Sequence, residues 1–177
     1  MLRRQAIRPT RIPLIALTPK SLLRHNLAVS SLEEMCDGAF ETVIGEVDDL
    51  NKKSLQRLIL CSGKVFYDLL EARREAGLEN VGIIRIEQLY PFPTEKFVEK
   101  LTEYQSVEKV IWCQEEPKNM GGWNTVRNYI DRTLEIINLR DINVKYVGRQ
   151  ASSSTATGNA NKHLAQQKEI LEKVLKR

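Results

Sequence analysis

From Leu55 onwards, short apolar runs alternate with amphipathic segments along the chain. A continuous apolar run of about four to eight residues is typical of a strand covered on both faces. Such runs predict strands near residues 58–61, 81–86 and 108–113, and we predict a last strand near 143–147, at Val144-Lys145-Tyr146-Val147. The segments that follow them repeat their apolar residues at helical spacing, which predicts helices that include residues 65–76, 94–101, 126–137 and 162–176. Alternating strands and helices predict right-handed βαβ units, and therefore an α/β fold with a mostly parallel twisted sheet and helices on both faces.

The first part of the chain lacks this alternation. Pro13–Leu17 is an apolar run that predicts a buried strand, whereas residues 25–55 show no sustained periodicity. A stretch this long without regular structure is unusual inside a compact domain. The pattern therefore predicts an N-terminal remnant at 1–24, a linker at 25–55 and an α/β domain at 56–177, with 13–17 outside its sheet.

Composition agrees with one domain that buries a core, since 42% of the 177 residues are hydrophobic. No run of eighteen apolar residues occurs, so the sequence predicts no membrane-spanning helix. Cys36, Cys61 and Cys113 are scattered and odd in number, which fits neither a disulfide framework nor zinc-ligand spacing. Cys61 and Cys113 each end an apolar run, where cysteine is typically a small buried hydrophobe in a reducing compartment.

The net charge of +4 is mild, and the basic residues gather mainly near the ends of the chain, at Arg3, Arg4, Arg8, Arg11, Lys173, Lys176 and Arg177. Nucleic-acid binding surfaces need clustered cations, often with aromatic residues between them, so no nucleic-acid partner is predicted. The basic start is also similar to a mitochondrial transit peptide, but Pro9, Pro13 and Pro19 would interrupt its amphipathic helix.

Polar and charged residues follow several predicted strands, and carboxyl ends of parallel strands meet at one edge of a sheet. Lys64 begins a helix after the first of these strands, and Arg149 follows the last one, before a hydroxyl-rich loop. An anion there would gain charge-assisted hydrogen bonds, and the N-terminal segment could fold back over the same edge. The candidate anion or effector residues are Lys20, Ser21, Arg24, Lys64, Arg149 and Ser152. The alternative is a solvated rim with capped loops that hold no ligand.

Glu115 and Glu116 are adjacent carboxylates at the end of the third strand, followed by Gly121-Gly122 and Trp123. Adjacent residues of an extended segment point to opposite sides, so they would not act as a facing acid–base pair. We therefore predict an interface role for Glu115, Glu116 and Trp123, rather than catalysis. The only histidines are His25 and His163, and they build no recognisable nucleophile–base constellation.

Several long strings in the chain resemble the C-terminal part of 2-oxoglutarate dehydrogenase, a member of the transketolase group of enzymes. They are Thr-Pro-Lys-Ser-Leu-Leu-Arg-His (18–25), Val-Ser-Ser-Leu-Glu-Glu (29–34), Ser-Gly-Lys-Val-Phe-Tyr-Asp-Leu (62–69), Arg-Ile-Glu-Gln-Leu-Tyr-Pro-Phe-Pro (85–93), Trp-Cys-Gln-Glu-Glu-Pro-Lys-Asn-Met-Gly (112–121) and Tyr-Val-Gly-Arg-Gln-Ala-Ser-Ser-Ser (146–154). The resemblance covers essentially the whole chain. It implies a transketolase-like C-terminal domain at 56–177, with 1–24 as the end of the middle, pyrimidine-binding domain.

The same resemblance implies that thiamine diphosphate and magnesium serve the complete enzyme, between domains that precede this one. The family's diphosphate and metal motif, Gly-Asp-Gly followed by an asparagine, occurs nowhere in the sequence. No catalytic, cofactor-binding or metal-binding residue is therefore assigned, and the chain alone is predicted to be inactive. Gln150 and Thr155 stand where family members tend to carry prolines, which predicts a less rigid loop there.

The complete enzyme is expected to decarboxylate 2-oxoglutarate in the tricarboxylic acid cycle and to pass the succinyl group to lipoamide. This domain's expected share is dimer stabilisation and, in some relatives, part of a nucleotide or acyl-coenzyme A effector site. The implied partners are the upstream domains, a second copy and the dihydrolipoyl succinyltransferase component, in the bacterial cytoplasm or the mitochondrial matrix. The alternatives are a free-standing anion-binding module that uses Lys20, Lys64 and Arg149, a 2-oxoadipate dehydrogenase fragment, and a truncated product without function.

Overall fold

The computed structural model describes residues 5–176, so Arg3, Arg4 and Arg177 of the basic ends lie outside the described residues. The chain divides into two compact units, with the boundary between Glu41 and Thr42. The first unit contains a 3₁₀ helix, Lys20–Arg24, and a short helix α1, Leu32–Cys36. A capping box starts α1, because the hydroxyl of Ser31 accepts from the Glu34 amide and the Glu34 carboxylate accepts from the Ser31 amide.

The predicted strand at Pro13–Leu17 is wrong. The segment has no regular structure, and the side chains of Ile15 and Leu17 are 85% and 96% exposed. A strand needs a neighbouring strand to satisfy its backbone hydrogen bonds, and residues 5–41 contain none. An apolar run alone was therefore not enough to define an element here.

The second unit contains a five-stranded sheet with the order β1-β3-β2-β4-β5. Its strands are β1 (Val43–Ile44), β2 (Arg57–Cys61), β3 (Val81–Ile86), β4 (Lys109–Pro117) and β5 (Lys145–Arg149). The neighbours β3-β2-β4-β5 pair in parallel, and β1 pairs antiparallel with β3. The predicted α/β class with a mostly parallel sheet is confirmed. β4 extends further than predicted, to Pro117, whereas β5 has the predicted length but begins and ends two residues later, because the two strands keep pairing as far as Pro117 and Arg149.

Four longer helices accompany the sheet, namely α2 (Val65–Glu75), α3 (Thr94–Thr102), α4 (Trp123–Ile136) and α5 (Ala160–Leu175). The helices α3 and α4 contact each other, and so do α2 and α5. Apolar residues of α3 and α4 share a core with one set of alternating strand residues, which includes Leu58, Leu60, Ile84, Ile86 and Trp112. Because successive strand residues face opposite sides, Ile59, Cys61 and Ile83 belong to the other face, and all three are buried. No helix within residues 5–176 is both long and apolar enough to cross a membrane.

The compact unit begins at Thr42, earlier in the chain than the domain start predicted at residue 56. The segment after β1 is fixed by Glu46, whose carboxylate accepts the Ile83 amide at 2.8 Å and pairs with the buried guanidinium of Arg73. Asp48 also pairs with Arg73, at 2.6 Å. These contacts are made by charged side chains, so the segment shows no regular spacing of apolar residues that the sequence analysis could have detected. The origin of residues 1–24 in a preceding domain stays a prediction.

Candidate functional site

Lys64 lies at the carboxyl edge of the sheet, as predicted, but its charge is already paired. Its ammonium group contacts Asp68 Oδ2 at 2.9 Å and Glu115 Oε1 at 3.1 Å. Burial alone would lower the pKa of Lys64, but the hydrogen bonds and charges of both carboxylates outweigh it, so this pKa is raised. Lys64 therefore ties α2 to β4, and its candidate role in anion binding stays a prediction.

Gln114 is a buried hydrogen-bonding centre that the sequence did not single out. Its Oε1 accepts from the Trp112 indole at 2.8 Å and from the Trp123 amide at 2.9 Å. Its Nε2 donates to the carbonyls of Glu116, Pro117 and Met120. All donor and acceptor positions of one amide are thus used to hold the turn between β4 and α4. The feature of the sequence that could have indicated Gln114 is a polar residue directly after the apolar run Val110-Ile111-Trp112-Cys113 of β4.

The predicted interface group occupies three different environments. Glu115 is half-buried and contacts Lys64, whereas Glu116 is exposed. Trp123 is only 6% exposed, and its ring centre lies 5.4 Å from that of Tyr146 inside the core. Packing within this unit therefore explains Trp123, and Glu116 is the exposed member of the group. The interface role itself stays a prediction.

Arg149 and Ser152 line a cavity of about 260 Å³ between the end of β5 and the start of α5. Its further polar lining includes Ser154, Thr157, Lys162 and Gln166, and no Asp or Glu within residues 5–176 lines it. The Arg149 Nη2 atom contacts His163 Nδ1 at 2.7 Å. The sequence analysis selected Arg149 and Ser152 but missed Lys162 and Gln166. These two residues are four positions apart on a helix that follows a hydroxyl-rich loop, and this spacing could have indicated them.

The other candidate residues, Lys20, Ser21 and Arg24, belong to the first compact unit. They share the 3₁₀ helix Lys20–Arg24, and all three are exposed. Proximity in sequence therefore brings these three together on one short helix. Their predicted combination with Lys64 and Arg149 stays a prediction.

The described residues offer little for covalent or metal chemistry. Cys61 and Cys113 are buried, which confirms their interpretation as core residues. Burial raises the pKa of the Cys113 thiol to about 12 and that of Cys61 well above its ordinary value, so both remain protonated and unreactive at neutral pH. Within residues 5–176, no group of three or more His, Cys, Asp and Glu residues is placed to hold a metal ion. The arrangement can hold an anion and order loops.

Comparisons with known proteins agree on one family. The model of a family described as "2-oxoglutarate dehydrogenase C-terminal" matches residues 29–175. The chain is 50% identical over 175 residues to the 2-oxoglutarate dehydrogenase E1 component of Haemophilus influenzae. This alignment covers 99% of the chain and 18% of the relative. It is 49% identical over 172 residues to the protein of the same name from Azotobacter vinelandii, and this alignment covers 97% of the chain and 18% of the relative. The chain thus spans less than a fifth of the length of these relatives.

Proposed function

Because the chain belongs to the 2-oxoglutarate dehydrogenase C-terminal family, we propose that it builds and stabilises a 2-oxoglutarate dehydrogenase dimer without supplying catalytic groups. The observation that carries the non-catalytic part of this proposal is the charge pairing at the carboxyl edge of the sheet, and the dimer part is what the family resemblance implies. Lys64 is neutralised by Asp68 and Glu115, and buried Gln114 fixes the adjoining turn. Side chains whose charges and hydrogen-bonding atoms are already paired with one another fit a rigid structural role better than a role in proton transfer.

The chemistry of the complete enzyme is assigned to domains that precede this one. Thiamine diphosphate with magnesium would supply the decarboxylation of 2-oxoglutarate, and the succinyl group would pass to lipoamide on the dihydrolipoyl succinyltransferase component. No step of that reaction is assigned to a residue of this chain. The choice of 2-oxoglutarate over 2-oxoadipate would likewise be made by the preceding domains.

The proposed role in the dimer is tested by measuring the molar mass of a reconstituted complex. The chain is co-expressed with the Haemophilus influenzae relative, truncated where its matching segment begins, and the product is measured by size-exclusion chromatography with light scattering. The expected result is a complex that contains two copies of each polypeptide. Separate elution of the two polypeptides would contradict the proposal.

The exposed carboxylate of Glu116 supplies a sharper version of this test. A Glu116→Lys substitution reverses an exposed charge near the end of β4, beside the turn that Gln114 fixes, so we expect it to reduce the fraction of the complex that is dimeric. The matched control is Glu135→Lys, which reverses an exposed charge on α4. Equal dimer fractions in the two variants would show that Glu116 is not part of the interface. The dimer would then have to form through other surfaces.

A second candidate function is effector binding, by a nucleotide or an acyl-coenzyme A. It is favoured by the cavity at Arg149, which has two cations in its lining and no carboxylate. Calorimetry with AMP and acetyl-CoA is expected to detect weak binding that salt reduces. A chain that binds neither compound at millimolar concentration would leave the supporting role alone.

A further inference from the structure

Arg149 and Lys162 combine a shared cavity with the absence of an ion pair. Neither residue takes part in an ion pair within residues 5–176, which is also true of other cations such as Lys118 and Lys145. Both side chains line the same cavity, which no acidic residue enters. Two uncompensated cations at one cavity create a positive potential that attracts a small anion.

The guanidinium of Arg149 is held by a weak partner. Its Nη2 contacts the imidazole Nδ1 of His163 at 2.7 Å, a partner without negative charge, and its Nε is buried without a hydrogen-bond partner among residues 5–176. A charged acceptor forms a stronger hydrogen bond with arginine than a neutral one does. An oxyanion can therefore replace His163 as the partner of Arg149.

The backbone around Arg149 is already fixed in place. Its carbonyl accepts from the Tyr146 hydroxyl at 2.8 Å and from the Lys118 amide at 3.1 Å. Asn119 clamps the following loop, since its side chain donates to the Ser152 carbonyl and accepts from the Ser152 amide at 2.9 and 3.0 Å. These contacts position the loop hydroxyls before any ligand arrives, which lowers the cost of binding.

The hydroxyls and one amide complete the polar lining. Ser152, Ser154 and Thr157 lie on the loop side of the cavity, and Gln166 lies on the helix side. The Oε1 of Gln166 is a buried acceptor without a partner. A ligand that satisfied this side of the cavity would have to donate a hydrogen bond as well as carry negative charge.

We propose that this cavity binds the phosphate group of a phosphomonoester that also carries a hydroxyl group. Arg149 and Lys162 hold the phosphate, the loop hydroxyls donate to its oxygens, and Gln166 accepts from the ligand hydroxyl. A volume of about 260 Å³ lies below the roughly 300 Å³ at which pockets for larger ligands begin. The cavity therefore admits a phosphate and a small attached group, and a larger effector such as AMP would place only its phosphate end there. The inference rests on the effector role above and is independent of the dimer role.

The test is calorimetric titration of the full chain with ribose 5-phosphate, orthophosphate and AMP at low ionic strength. Arg149→Gln and Lys162→Gln are each expected to weaken ribose 5-phosphate binding at least tenfold. The matched control is Lys168→Gln, which removes an exposed cation of the same helix that pairs only with Glu172, and it should leave the affinity unchanged. Thermal unfolding of each variant establishes that the fold is retained.

The outcomes separate this inference from the effector role. Undetectable binding of ribose 5-phosphate at millimolar concentration would overturn it, as would binding that survives both cavity variants. If AMP still binds in those variants, the effector role stands at another site and the cavity assignment is wrong. A preference for ribose 5-phosphate over orthophosphate that Gln166→Leu abolishes would support the hydroxyl contact, and equal affinity of both ligands for the unmodified chain would overturn that contact.

Discussion

At the scale of single residues, the Glu46–Arg73 pair shows how this domain handles a buried charge. Both side chains are almost fully buried, at 1% and 2% exposure. Glu46 also accepts the backbone amides of Val47, Asp48 and Ile83. Burial of a charge is tolerated only when partners and hydrogen bonds replace the lost water. This pair therefore fastens the segment after β1 to the sheet.

Neutralising Glu46 should destabilise the fold strongly. A Glu46→Gln substitution keeps the shape but removes the charge that Arg73 needs, and breaking a buried pair costs about 3 kcal/mol. The control, Glu99→Gln, breaks the exposed pair with Lys96 and should cost less than about 1 kcal/mol. Urea unfolding measures both free energies. Equal costs for the two substitutions would show that the buried pair does not anchor this segment.

Asp48 should make stability depend on pH. Hydrogen bonds from Arg74 and then Arg73 lower its pKa from the ordinary 3.8, against an opposing effect of burial. A group whose pKa is lower in the folded state contributes stability above its unfolded value, and this is lost as pH falls through the folded pKa. We expect Asp48→Asn to flatten the dependence of the unfolding free energy on pH below about 4. An unchanged profile between pH 5 and pH 2 would contradict this.

At the scale of elements, the turn between β4 and α4 depends on one glycine and one glutamine. Gly121 has a φ of 65°, and a Cβ added there would lie 2.9 Å from Gln114 Nε2. Gly63 has a similar φ of 69° but open space around it. The two positions therefore differ in crowding while they share the same backbone conformation.

Substitution of these two glycines separates strain from crowding. Gly63→Ala should cost about 1 kcal/mol, the penalty of a left-handed conformation for an L residue. Gly121→Ala adds the displacement of a buried amide that makes five hydrogen bonds, so we expect it to cost about 1–3 kcal/mol more. Chemical unfolding supplies both values, and equal costs would mean that Gln114 moves aside freely.

The elements that the sequence predicted best are those with continuous apolar runs. β2 and β3 lie at or within one residue of their predicted positions, because both faces of each strand are buried. β4 runs further and β5 lies two residues later than predicted, since the polar residues Glu115, Glu116 and Arg149 end the apolar pattern but not the backbone pairing. β1 was missed because two residues carry no period, and an ionic anchor rather than an apolar face holds the segment after it.

The candidate site was predictable only where neighbours in sequence are neighbours in space. The pairing of Lys64 with Asp68 follows from helical spacing, and the edge position of Arg149 follows from the parallel sheet. The contact of Lys64 with Glu115 joins residues far apart in the chain. No local pattern reports such a contact, so the sequence did not predict the pairing of Lys64 with Glu115.

At the scale of the whole molecule, the chain has a sheet with a complete core and spans 18% of the length of its relatives. A domain of this kind can support an active site that other domains build. Under the proposed supporting role, stability and catalysis would depend on different parts of the complete enzyme. The sequence contains no Gly-Asp-Gly motif, so we expect it to lack activity of its own.

The most direct measurement is release of carbon dioxide from 2-oxoglutarate, with thiamine diphosphate and magnesium present. Three proteins are compared, namely this chain, the Azotobacter vinelandii relative truncated before its matching segment, and the truncated relative fused to this chain. We predict no release from either part alone and restored release from the fusion. Release by the isolated chain would contradict the assignment of catalysis to other domains, and a fusion no more active than the truncated relative would contradict the supporting role.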